Sequence, residues 1–298
     1  MTQNKILKRI WEILYPMVLY FGIQMVTVYI GYIAIFSVYV VKGFDKKEAL
    51  DLAQMQLLML NLIAALIAAP IFLKMYHKVL KKQQKYRTEY ETSLILKFFW
   101  IIPFGVVGMF WSNYVVSFLT LFMPEFMIDS YDETKEIVFN SPFLLQVFAS
   151  ALMAPVVEEL IFRGVIHNRL KEYMTVKNAA ILSSLLFGLY HMNWIQIPYA
   201  FLIGMLSVFL FEKYKTIYAS IIFHGIANLT SVLISMAVSG QETGTEEKMS
   251  MVEQCAGLLI LIGFSGILLC GIGTIINKRV NEKEKFENEV INDYDSML

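Results

Sequence analysis

Apolar runs separated by short polar clusters dominate this chain. They fall near 13–41, 55–75, 94–123, 142–170, 178–193, 194–212, 216–238 and 254–277. Most are about 20 residues or longer, which at a rise of about 1.5 Å per residue matches a hydrocarbon layer about 30 Å thick. The first run follows Lys5, Lys8 and Arg9, as the apolar part of a signal peptide would. It is too long for that role and carries no small-x-small cleavage pattern, so it is expected to stay as an anchor. The pattern predicts an all-α polytopic membrane protein of about eight transmembrane helices. These form one integral membrane domain over 1–298, with a polar cytoplasmic tail at 278–298.

Composition agrees: 57% of residues are apolar and 17% charged, against about 45–50% apolar in soluble domains. Lys+Arg and Asp+Glu balance at 25 each, so there is no broadly basic surface and nucleic acid is not an expected partner. The distribution of charge is more informative than its sum. With the N-terminus inside, the inner segments hold 20 Lys and Arg and the outer ones 5, which places both termini in the cytoplasm. Lys78, Lys81, Lys82, Lys85 and Arg87 form a basic patch on that side, expected to act as a topology signal in contact with anionic lipid. Cys255 and Cys270 lie 15 residues apart in one apolar run, too far along a helix to bridge.

An ionisable side chain in the hydrocarbon costs about 2.5–3.5 kcal/mol on insertion scales, so each one inside a span is a candidate for function. Here they gather in a core at 142–238. The fourth span carries Glu158, Glu159 and Arg163, the fifth ends in Phe187 and His191, and the seventh carries His224 and Asn228. Glu158 lies 13 residues before Lys171, His191 lies 14 after Lys177, and His224 and Asn228 lie 9 and 13 after Lys215. All four therefore fall at about the same depth, 14–21 Å from the inner boundary. Residues four apart share a helix face whereas neighbours diverge by about 100°. Glu159 is thus the natural partner of Arg163, leaving Glu158 to turn toward a cavity as a general base. Phe187, one turn from His191, is placed to wall it.

Hydrolysis fits these groups: a carboxylate takes a proton from water, an imidazole orients that water or protonates the leaving amine, and a His224/Asn228 face meets the oxyanion. The alternative makes Glu158, His191 and His224 ligands of a catalytic zinc, with water in the fourth position. Spacing does not choose between them, and a metal-free mechanism is slightly preferred. There is no His-Glu-x-x-His helix and no Gly-x-Ser-x-Gly elbow. His77 is expected in a loop beside the basic patch and His167 in a structural or solvated position. Gln24, Asn61 and Gln146 are expected to bridge helices.

The three elements Glu-Glu-x3-Arg (Glu158, Glu159, Arg163), Phe-x3-His (Phe187, His191) and His-x3-Asn (His224, Asn228) resemble the signature of the CPBP intramembrane proteases. That family includes type II CAAX prenyl endopeptidases and bacterial Abi proteins. The resemblance implies an endopeptidase in which the first glutamate and first motif histidine activate water and the later His/Asn pair stabilises the oxyanion. It also implies a membrane-anchored protein or peptide substrate and a bacterial plasma membrane location, with Glu159, Arg163 and Phe187 in support. The family is called metalloprotease by tradition, and a metal-free, glutamate-activated mechanism is also argued for it. A non-catalytic bacteriocin-immunity or regulatory scaffold with the same fold is the alternative.

The charge asymmetry makes a topological prediction. Single cysteines at position 82 and at both termini are expected to be shielded from an impermeant maleimide in intact cells, while cysteines at 132 and 244 are labelled. Labelling at 132 that requires access from the inner face would invert the arrangement.

Overall fold

The computed structural model describes residues 3–82, 98–238 and 249–297. Ten helices follow in order: α1 (Gln3–Val41), α2 (Lys46–Gln54), α3 (Leu57–Lys82), α4 (Ile101–Thr120), α5 (Glu125–Phe139), α6 (Phe143–Leu170), α7 (Val176–Tyr190), α8 (Gln196–Tyr214), α9 (Ile217–Val238) and α10 (Met251–Met297). No strand occurs among the described residues, and the chain is an all-α polytopic membrane protein. Among the described residues seven helices (α1, α3, α4, α6, α8, α9 and α10) are long and apolar enough to cross a bilayer. The expected eighth is α7, which is apolar but only 15 residues long. At about 22 Å it falls short of the hydrocarbon thickness, so it ends within the bundle.

Local chemistry explains the short helices that the long-run pattern overlooked. Asp45 accepts hydrogen bonds from the N–H groups of Lys47 and Glu48 and starts α2, a standard N-cap. Pro124, in extended conformation, starts α5. Both are too short and too polar to register in a hydropathy window. The tail from 278 continues α10 as helix to Met297. His77 lies on α3 and not in a loop, stacked beside Tyr76. Lys85, Arg87, Gly244 and residues 94–97 of the third expected span lie outside the described residues.

Two apolar cores meet along α8 and α9. One joins α1, α3, α6 and α7 through residues such as Tyr20, Phe72, Phe162 and Phe187. The other joins α4 and α10 to α8 and α9 through Phe104, Met109, Phe223 and Leu269. Helix α6 contacts α1, α3, α7 and α9. Much of the outer surface is apolar, Trp11, Tyr29 and Ile30 of α1 included; facing lipid, it needs no cover from protein.

The α7–α8 turn is tight. Met192 takes a left-handed conformation (φ 49°), and Asn193 Oδ1 accepts from the N–H groups of Ile195 and Gln196 to start α8. A Cβ at Gly188 would stand 2.6 Å from the Ile197 carbonyl oxygen, a backbone atom that cannot swing aside. Gly188→Ala is therefore expected to lower stability by about 1–3 kcal/mol, the usual range for overpacking, and to displace His191. Thermal denaturation in detergent checks the first effect, and an unchanged melting temperature would show that the two helices separate freely.

Candidate active site

The site is assembled around an interruption in α6. Its residues Val147–Met153 and Leu160–His167 are π-helical, and the Ala154 N–H bonds the Ala149 carbonyl five residues back. In that register the Ser150 carbonyl would next be met by the N–H of residue 155, which is proline and has none. Asn228 of α9 fills the gap: its Nδ2 donates to the Ser150 oxygen at 2.8 Å. One turn earlier on α9, Gly225 lets the helices close, since a Cβ there would lie 2.8 Å from the Ala151 oxygen. Asn168 ties off the second π-helical stretch by donating to the carbonyls of Arg163 and Gly164.

Glu159 and Arg163 are both fully buried, and Arg163 Nη1 lies 3.0 Å from Glu159 Oε1. The contact is an ion pair whose angles do not make it a hydrogen bond. The carboxylate also holds two partners that sequence spacing did not suggest. Ser207 Oγ of α8 donates to Oε2 at 2.7 Å, and His224 Nδ1 of α9 lies 2.9 Å from Oε1. Because an ionised carboxylate only accepts, His224 Nδ1 carries a proton. The Arg163 guanidinium lies over the Phe187 ring at 4.6 Å. A Cβ at Gly204 would stand 3.1 Å from Arg163 Nη2, so that glycine makes room for the cation.

Glu158, one residue earlier, retains 14% side-chain exposure where Glu159 has none. Its Oε2 lies 3.8 Å from His224 Nε2, beyond hydrogen-bond range but close enough for electrostatic attraction. His191 ends α7, and its Nδ1 lies 2.9 Å from the Phe187 carbonyl oxygen. A carbonyl accepts, so Nδ1 holds a proton, and in the neutral ring Nε2 is then the acceptor. Phe187 touches both histidines edge to face, with centroids 5.0 Å from His191 and 5.6 Å from His224.

Glu158, Phe187, His191, His224 and Asn228 line one cavity of about 160 Å³ together with Tyr131, Gln196 and Tyr199. The last three were not legible as site residues: Tyr131 belongs to the unforeseen α5, and Gln196 and Tyr199 are ordinary polar positions on an apolar helix. Gln24 bridges helices by accepting from the Tyr190 hydroxyl. Asn61 instead bonds its own helix at the Leu57 carbonyl, and Gln146 ties the α5–α6 turn at the carbonyls of Phe139 and Ser141. His167 is buried, 2.9 Å from Glu212. Among the described residues no three His, Cys, Asp or Glu side chains converge to hold a metal ion. The zinc candidates Glu158, His191 and His224 line that one cavity.

Residues 140–230 match the family model of type II CAAX prenyl endopeptidases, Rce1-like, a segment that holds all three motifs. The resemblance of the motif-bearing segment to the CPBP proteases thus extends to a family model that spans all three motifs. YdiL of Bacillus subtilis (strain 168), provisionally named a membrane peptidase, is 28% identical over 92 residues, which cover 31% of this chain and 38% of YdiL. The chain thus aligns with well under half of that relative's length. No solved structure matches the chain.

Removing one member of a buried ion pair strands the other, at a cost of about 3–5 kcal/mol. Glu159→Gln and Arg163→Ala are accordingly expected to lower the melting temperature and yield of folded protein, whereas Glu158→Gln, at a partly exposed carboxylate, leaves both near native. Equal thermal stability in all three would contradict this partition.

Proposed function

We propose that this protein is an intramembrane endopeptidase that hydrolyses a peptide bond in a membrane-associated protein or peptide. The observation that carries the proposal is the convergence of Glu158, His191, His224 and Asn228, from three helices, on one small cavity. The match of 140–230 to a membrane endopeptidase family supports it at the level of enzyme class.

In this mechanism Glu158 takes a proton from water as the oxygen adds to the scissile carbonyl carbon. His191 Nε2 accepts the second water proton as a hydrogen bond and fixes the attacking lone pair. The carbonyl oxygen becomes an oxyanion, met by His224 Nε2–H and by the Asn228 N–H not used on Ser150. For His224 to donate there while Nδ1–H serves Glu159, both ring nitrogens are protonated, and the two glutamates balance the positive charges of His224 and Arg163 together. Collapse of the intermediate breaks the C–N bond, and the proton held by Glu158 passes to the leaving amine. The proposal includes a bacterial plasma membrane location with both termini cytoplasmic, an orientation that the 20-to-5 charge asymmetry supports.

Comparison of membrane peptidomes from cells expressing native protein and Glu158→Gln is the decisive test. Cleaved termini present only with the native chain are expected; identical peptidomes, with the phenotype intact in the variant, would favour the non-catalytic scaffold. In a purified assay His191→Ala is expected to be inactive, and loss of a single oxyanion donor, as in Asn228→Ala, to cost on the order of 10²–10³ in rate. Active protein is expected to carry no stoichiometric zinc by elemental analysis. One zinc per chain, with activity lost on chelation and restored by zinc, would replace this mechanism with the metal one.

A further inference from the structure

A second cavity, of about 430 Å³, opens where α7 begins and α8 ends, bounded by Asn281 of α10. We propose that it binds the headgroup and upper acyl chain of an anionic phospholipid. Its wall is graded in polarity along the helices. Lys213 and Lys215 stand at the end of α8, while Val208 and Met205, five and eight residues before Lys213, continue the wall inward, about 7 and 12 Å deeper. On α7 the same order holds over a shorter distance, with Lys177 at the first turn and Ala180 beyond it.

The cationic end is not cancelled from within. Glu212, the acid in the wall, has both oxygens engaged: Oε1 by His167 and Lys171, and Oε2 by Lys215 at 3.1 Å. Its charge is answered by Lys171, which does not line the cavity, as well as by Lys215. Lys213 Nζ donates to the neutral Asn281 Oδ1 at 3.2 Å, and Lys177 has no acidic partner among the described residues. Two ammonium groups therefore face a cavity at the edge of the apolar layer, where phospholipid phosphates lie. Basic pockets between membrane helices select anionic headgroups in this way. A free phosphate would satisfy the lysines but leave Met205 and Val208 without a partner, so the graded wall favours a lipid.

The test uses purified full-length protein, with retained lipid counted by native mass spectrometry and binding read without turnover. The probes are dimyristoyl phosphatidylglycerol, the phosphatidylcholine of the same chain length, and inorganic phosphate as competitor. Phosphatidylglycerol is expected to bind at least tenfold more tightly than phosphatidylcholine and to resist millimolar phosphate. Lys177→Gln, at an exposed position, should weaken that preference, and Lys177→Gln with Lys213→Gln should abolish it. Lys177→Arg with Lys213→Arg should keep it, and circular dichroism melting in phosphatidylcholine confirms that the variants are folded. Equal retention of the two lipids, or native selectivity in the folded double glutamine variant, would overturn the proposal. Complete displacement by phosphate would overturn it too, making the cavity a free-anion site.

Discussion

One desolvated carboxylate organises the interior of this protein. Glu159 sits within a helix bundle in lipid, where an ionised group persists only if its oxygens are satisfied. Its partners come from three helices: Arg163 on its own, Ser207 on α8 and His224 on α9. Arg163 rests on Phe187, whose ring touches both site histidines. The orientation of His224, and through Phe187 the packing of His191, thus follow from the need to neutralise a buried charge.

Helix α6 divides its labour by a one-residue offset. Glu159 faces inward to the bundle's ion network, and Glu158, about 100° around the helix, faces the cavity. The inward seam continues at four-residue intervals through Arg163 and His167 to Lys171, with Ser207 and Glu212 of α8 opposite. Such a ladder fixes the register of α6 against α8, because sliding either helix by one residue would part the buried Glu159 and His167 from their partners on α8.

Pro155 supplies the complementary constraint on α9. By withholding an N–H in a π-helical stretch, it leaves the Ser150 carbonyl for Asn228. His224 and Asn228, four apart, are then tethered to α6 at two points, an acid and a carbonyl. Both side chains line the cavity. π-helical turns recur at functional sites because they aim backbone groups outward, and here the outward groups hold the neighbouring helix in place.

Much of this was determined by sequence alone. The long apolar runs establish a helical membrane protein because lipid permits few other ways to satisfy a backbone. Helical periodicity separates Glu158 from Glu159, pairs Glu159 with Arg163, and sets the motif residues at one depth. What only the tertiary structure decided involves neighbours distant in the chain. Ser207 and Gly204 lie in a featureless apolar helix, and their value appears only when α8 lies against Arg163. Tyr131 reaches the cavity from a helix too short and polar for a hydropathy window to detect. The fifth apolar run was counted as a span, but it closes as a 15-residue helix at the left-handed turn of Met192, which leaves His191 at the cavity. Periodicity specifies which face of a helix a residue occupies; packing specifies what that face meets.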